Sequence, residues 1–240
     1  MKEISPSYAP LEPEERKLKA EKIRRLVEDV HPWEGTRVLD IGTGAGVIAA
    51  TLAEAVGPKG QVHSVDIADD RLERKGFEFH QVEGAALPFE DSSFDVVLSN
   101  HVIEHVGDVP EQRTHLAEIR RVLRDDGVLY LATATRWLVM EPHYRLPFLS
   151  WLPRRGSDAY LRLTRRGREY DCYLPTHKRV RQLLAETGFR WKEPYLEAIR
   201  LTGEIEEPGG IAKRVLGAPD AVLRALRPAV PTIIVLARKS

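Results

Sequence analysis

The chain has almost no cysteine and asparagine, no net charge and no long apolar run. Of its 240 residues, Cys172 is the single cysteine and Asn100 the single asparagine. One cysteine excludes an intramolecular disulfide and a cysteine-based metal cluster. The 36 Lys and Arg residues balance 36 Asp and Glu. A balanced chain has no global field with which to hold nucleic acid or an anionic membrane, so any such contact needs a local patch. No stretch approaches the roughly 20 apolar residues of a membrane span, and residues 1–19 lack the apolar segment of a secretion signal. These absences predict a cytoplasmic protein. Scarce Asn and Met with abundant Arg fit either a thermophilic source or a GC-rich genome.

What is present is a repeating alternation of short apolar runs with amphipathic ones. Pro13 to Val30 reads as a helix whose stripe is Leu18, Ile23, Leu26, Val27 and Val30. Strands are predicted at Arg37–Ile41, Gln61–Asp66, Phe77–Val82, Phe94–Ser99 and Gly127–Ala134. Helices fall between them at Val47–Val56, Asp69–Lys75 and Val109–Leu123. After an aromatic and Arg-rich stretch the rhythm resumes. A helix is predicted at Thr176–Thr187, with Thr176 as N-cap and Gly188 as stop. A strand follows at Phe189–Leu201, a helix pair at Ile211–Leu226 broken by Gly217 and Pro219, and a last strand at Thr232–Ala237. Such alternation predicts an α/β fold: a Rossmann-like, doubly wound, mostly parallel seven-stranded sheet with an inserted aromatic, Arg-rich lid. One domain, 1–240, is expected. It divides into an N-terminal helical cap (1–35), a cofactor-binding core (36–135), a lid insertion (136–175) and the rest of the sheet (176–240) with a helical insertion at 203–230.

The strongest signal is Val38-Leu-Asp-Ile-Gly-Thr-Gly-Ala-Gly46. Glycines between a strand and a helix N-terminus let the backbone turn tightly and let a ligand approach its N–H groups. The dinucleotide fingerprint G-x-G-x-x-G is not met, because Val47 stands where its third glycine belongs. Asp40, two residues before the first glycine, would repel a pyrophosphate but can accept from an ammonium group. Asp66 ends the second strand, where a carboxylate can accept both hydroxyls of a ribose. Val82-Glu-Gly-Ala-Ala-Leu-Pro-Phe89 and Asp91-Ser-Ser-Phe-Asp-Val-Val-Leu-Ser-Asn-His-Val-Ile-Glu-His105 follow in order.

These four elements resemble the class I S-adenosylmethionine-dependent methyltransferases, in particular the broad ubiquinone-biosynthesis-like (type 11) group, over about residues 36–135. The resemblance implies S-adenosyl-L-methionine as cofactor and S-adenosyl-L-homocysteine as product. It implies that Asp40, Gly42, Thr43, Gly44 and Gly46 hold the methionine end, and Asp66 with Ile67 the ribose side. Glu83, Gly84 and Ala85 would read the adenine edge, and Ser99, Asn100 and His101 would flank the sulfonium. Where the group usually has Gly-Asp, this chain has Val82-Glu83, which keeps the carboxylate on a longer arm.

The lid sequence interleaves Arg136, Arg145, Arg154, Arg155, Arg162, Arg165, Arg166 and Arg168 with Trp137, Tyr144, Phe148, Trp151, Tyr160 and Tyr170. It reads either as a cap over a small-molecule or amphiphilic acceptor or as a homodimer arm. His143 and Tyr144 are its candidates for a catalytic base. His101-Val-Ile-Glu-His105 matches the H-x-x-E-H pattern of zinc peptidases. It directly follows a strand, however, and Gly107 and Pro110 interrupt it, so no metal site is expected. The expected activity is methyl transfer to O or C of a small-molecule or lipid-linked acceptor. The rivals are a nucleic-acid or protein methyltransferase, a non-catalytic cofactor-binding protein and a nicotinamide-dependent oxidoreductase. The Asn/Asp-Pro-Pro-aromatic run of nucleobase amino methyltransferases is absent after the fourth strand, which argues against nucleic acid as substrate.

Overall fold

The computed structural model describes residues 13–206, 209–227 and 230–240. The first twelve residues of the expected N-terminal cap, and short pieces of the expected helical insertion, therefore lie outside the described residues. Eight helices and nine strands run along the described chain: α1 (Pro13–Glu28), β1 (Arg37–Ile41), α2 (Val47–Val56), β2 (Gln61–Asp66), β3 (Glu78–Gln81), β4 (Phe94–Asn100), α3 (Val109–Val122), β5 (Leu123–Ala134), β6 (Met140–Glu141), β7 (Leu146–Pro147), α4 (Arg154–Thr164), α5 (His177–Glu186), β8 (Phe189–Lys192), α6 (Tyr195–Ile205), α7 (Gly210–Leu216), α8 (Asp220–Leu226) and β9 (Thr232–Lys239).

Seven strands form one sheet in the order β3-β2-β1-β4-β5-β9-β8. Strands β1 to β5 are parallel, and β9 runs antiparallel to both β5 and β8. The order reverses between β1 and β4, which places a crevice beyond their carboxyl ends. Strand β5 shows how the two layers arise. Its side chains alternate across the sheet, so Leu129 and Leu131 join the core under α3 and α5. Val128, Tyr130 and Ala132 join the core under α1, α2 and α6. Both cores are apolar, as expected of a sheet covered on each face.

Two predicted elements change. Residues 69–75 are not a helix. The segment is short, charged and followed by Gly76. Its backbone is spoken for: the N–H groups of Leu72 and Glu73 both donate to the Ala45 carbonyl, while Asp69 holds Arg71 and Arg74. The predicted strand at 189–201 ends at Lys192. Pro194 then precedes α6, whose buried Ala198 and Leu201 sit three apart on one helix face. The predicted N-cap is present: the Thr176 hydroxyl accepts from Arg179 N at 3.2 Å.

The 136–175 insertion folds on itself. The β6–β7 hairpin, a single 3-10 turn (Leu149–Trp151) and α4 enclose a small core of Tyr144, Leu146, Leu149, Leu161, Tyr170 and Cys172. A backbone bond from Arg136 N to Pro175 O closes its two ends, and one from Tyr173 N to Glu104 O fastens it to the loop after β4. Among the described residues no helix is long and apolar enough to cross a membrane.

Candidate functional site

The loop after β1 carries the features the crevice needs. Gly42, Gly44 and Gly46 all have left-handed backbone, with φ of 81°, 50° and 80°. A side chain at Gly42 would collide with Val102, and one at Gly46 with the Glu73 carbonyl, so shape as well as φ demands glycine there. Behind the loop, Asp40 is buried and its Oδ2 has no hydrogen-bond partner; neither do Thr43 Oγ1 and Arg16 Nε. Burial, and then the neighbouring Asp66, push the Asp40 carboxyl up to about 8, against the pull of Arg16. Three buried polar atoms facing one turn, one acidic and one cationic, fit a zwitterionic amino acid group. Arg16 comes from α1 and approaches to 3.5 Å of where a Gly44 side chain would be. The sequence reading did not single it out, because one Arg on the polar face of a charged helix carries no signal of its own.

At the end of β2, Asp66 Oδ2 accepts from Gly44 N at 2.9 Å and Oδ1 from Ile67 N at 2.7 Å. The carboxylate is thereby fixed at the rim of the glycine loop. Ile67 is 69% exposed, and the chain at 81–85 lies beside it. Val82 N donates to Asp66 O, and Gln81 Nε2 to Ile67 O. Glu83 is exposed, Ala85 is half-buried, and Gly84 has φ 71° with open space in front of it. The structure thus brings Asp66, Ile67, Glu83, Gly84 and Ala85 to one side of the crevice.

At the end of β4 the three expected residues separate. Ser99 is fully buried and its hydroxyl meets His115 Nε2 at 3.0 Å. Its hydroxyl therefore braces α3. Asn100 and His101 turn the other way and line a cavity. His101 has φ 59°, an uncommon conformation for a residue with a side chain, costing on the order of 1–3 kcal/mol. Its N–H donates to Ala132 O at 2.8 Å, and its Nδ1 lies 3.0 Å from Glu104 Oε1. Glu104 is 2% exposed and also accepts from Thr133 Oγ1 and Ala134 N. Burial would raise its pKa, but the His101 ring and the backbone N–H groups outweigh burial and hold it below the usual carboxylate range. His101 and Glu104 are therefore paired, while His105 turns to the insertion, so the H-x-x-E-H residues do not converge on one point.

The cavity measures about 380 Å³. Its floor is Tyr130 and Ala132 of β5 and Ile234 of β9, and its walls are α1, α6, α7 and α8. Ala198, Ile199, Leu216, Leu223 and Leu226 make it apolar. Lys19, Lys22, Glu193, Glu206 and Arg227 supply charge, partly cancelled by the Lys22–Glu206 and Arg227–Glu193 pairs. A larger, shallower hollow of about 750 Å³ near Trp33 and Glu54 includes none of the carboxyl-end residues. Among the described residues, none of 136–175 lines the 380 Å³ cavity. His143 and Tyr144, the candidates for a catalytic base, are thus not in this cavity's wall. Tyr144 is buried in the insertion's own core, its hydroxyl donating to Asp171 Oδ1 at 3.0 Å. His143 packs edge-on against the His105 ring. Of the insertion's aromatics, Tyr144 and Tyr170 are buried in its own core while Trp137, Phe148 and Trp151 stay exposed, and α6, α7 and α8 wall the cavity.

Comparison with known proteins agrees with this arrangement. A family described as a methyltransferase domain matches residues 39–131. The chain is 30% identical over 154 residues to a ubiquinone biosynthesis O-methyltransferase of Rhizobium rhizogenes, covering 60% of each chain. It is 30% identical over 173 residues to a demethylmenaquinone methyltransferase of Lactococcus lactis subsp. lactis, covering 65% of this chain and 66% of that one. The matched region thus spans just under two thirds of these relatives. In fold, the chain resembles an S-adenosylmethionine-dependent methyltransferase of Mesorhizobium loti, with a TM-score of 0.60 at 15% identity over 92% of this chain and 100% of that one. Residues 39–131 thus match the methyltransferase-domain family, and these similarities support a class I S-adenosylmethionine-dependent methyltransferase core.

Proposed function

We propose that this protein transfers a methyl group from S-adenosylmethionine to O or C of a small acceptor with an apolar body, of the kind handled in quinone biosynthesis. The observation that carries this reading is the apolar cavity opening on Asn100 and His101, next to Val102, which packs against Gly42 of the glycine loop. Asp40, Thr43 and Arg16 would hold the amino acid end of the cofactor, with Gly42, Gly44 and Gly46 leaving room for its close approach. Asp66 would hold the ribose, and Ile67 with Glu83, Gly84 and Ala85 the adenine. The cofactor supplies a methyl group already activated on a sulfonium, so the protein's task is placement and proton removal.

His101 supports the second task. With Nδ1 on the Glu104 carboxylate, the neutral ring carries its proton there and leaves the Nε2 lone pair for the acceptor. Glu104 then stabilises the imidazolium that forms, as an acid behind a catalytic histidine does. The names of the two relatives support a quinone-like acceptor: one methylates in ubiquinone biosynthesis and the other acts on demethylmenaquinone. The test is to incubate the protein with methyl-labelled cofactor and a panel of hydroxylated aromatic rings bearing alkyl or prenyl tails. Label should appear in tailed hydroquinones or phenols. Label only in protein or nucleic acid substrates would refute the reading.

A further inference from the structure

The junction between the insertion and the sheet gathers three donors that the methyl-transfer reading does not use. His105 comes from the loop after β4, His143 from the β6–β7 hairpin and Cys172 from the segment after α4. One donor atom from each lies within 4.8 Å of the other two. Cys172 Sγ is 3.8 Å from His105 Nδ1, and the two imidazoles meet edge to face with centroids 5.5 Å apart. In a tetrahedral zinc site the bond lengths set donor separations of roughly 3.3–3.6 Å, so small side-chain rotations close the set. Cys172 is buried and the two histidines are half-buried, which gives a sheltered site with a path to solvent. Further contacts orient the cluster. Cys172 Sγ also lies 3.6 Å from Asp171 Oδ1, and that oxygen accepts from the Tyr144 hydroxyl. Such outer contacts are what fix the ligands of metal sites.

We propose that His105, His143 and Cys172 bind one zinc ion that pins the insertion to the loop carrying His101 and Glu104. Two imidazoles and a thiolate are the donor set that zinc takes, and three protein ligands leave a fourth position for water. Binding forms a zinc–sulfur bond and releases the thiol proton to solvent. A second trio, His63, Glu78 and His80, lies on the edge strands β2 and β3. Glu78 there is exposed, and the trio joins only neighbouring strands, so zinc would fasten nothing that the sheet does not already hold.

The full-length protein, stripped with a chelator, is titrated with Co²⁺ and, in competition with a chromophoric chelator, with Zn²⁺. The expected result is one equivalent of Co²⁺ with tetrahedral d–d bands and a thiolate charge-transfer band. Cys172→Ser should abolish that band and weaken zinc by roughly a hundredfold or more, since loss of outer-shell partners alone costs 10–100-fold. His143→Ala, on the hairpin, should weaken zinc too, and S-adenosylhomocysteine binding reports whether each variant is folded. A cobalt complex with no thiolate band, or zinc affinity lost in His63→Ala and kept in Cys172→Ser, would overturn the proposal.

Discussion

The Nδ1 of His101 lies 3.0 Å from Oε1 of Glu104, and the same carboxylate accepts from Thr133 and Ala134 on the neighbouring strand. One buried acid therefore sets the ring that faces the cavity and ties the loop after β4 to β5. His101→Asn should lower kcat for methyl transfer by roughly 10²–10⁴, the usual worth of a general base. The S-adenosylhomocysteine dissociation constant should hardly move. An unchanged kcat would remove His101 from the chemistry.

Glu104→Gln keeps the shape and loses the charge. The amide can still accept from Thr133 or Ala134, but its NH₂ faces donors. A stability loss of about 1–3 kcal/mol is expected from the imperfectly paired groups, read by urea unfolding. Methyl-transfer kcat should also fall, because the imidazolium formed on proton removal loses its counter-charge.

Asp66→Ala removes the acceptor at the rim of the glycine loop. Cofactor affinity should fall by about 1–3 kcal/mol, the cost of two unpaired hydroxyls and a freed Gly44 N–H, measured by calorimetry. Equal affinity in the variant would show that the ribose lies elsewhere.

Asp40 has a definite pH signature. Its carboxyl is raised from the ordinary 3.8 to about 8 by burial and by Asp66. Between those values the native chain keeps a proton that the unfolded chain has released. Stability should therefore fall as pH rises through that window. Asp40→Asn should flatten the fall. An ammonium group bound against Asp40 favours its ionised form, so cofactor binding at pH 7 should release about one proton. Titration in buffers of different ionisation enthalpy reads this directly, and the release should vanish in Asp40→Asn.

The cavity and the insertion can be separated. Ile199→Trp, on the cavity wall, should raise the acceptor KM and leave cofactor affinity alone. Trp137→Ala, on the exposed face of the insertion, should change neither. The reverse pattern would return the acceptor site to the insertion.

The sheet was legible because parallel strands buried on both faces read as short apolar runs, and because Gly42, Gly44 and Gly46 stand where only glycine fits. Asp40 and Asp66 were legible from their places at strand ends. Four features were not. Arg16 reaches the glycine loop from a helix nearly thirty residues upstream, and a polar helix face does not say which of its charges will meet a ligand. Ser99 sits in the right run, but the pleat turns its hydroxyl toward His115; a register of one residue decides that. The insertion's aromatics and arginines suggested a cap, yet Tyr144 and Tyr170 pack in its own core, and the cavity at Asn100 and His101 is walled by helices after Pro194 whose start was masked by a strand-like run. His105, His143 and Cys172 meet only through tertiary folding, so no spacing rule could have joined them.

The central claim is that the crevice beside Gly42–Gly46 is built for S-adenosylmethionine rather than for a dinucleotide. Calorimetric titration of the full chain with S-adenosylhomocysteine, and separately with NAD and NADP, tests it most directly. The account predicts saturable binding of one S-adenosylhomocysteine per chain and no heat from either dinucleotide. Binding of NAD or NADP without S-adenosylhomocysteine would contradict it.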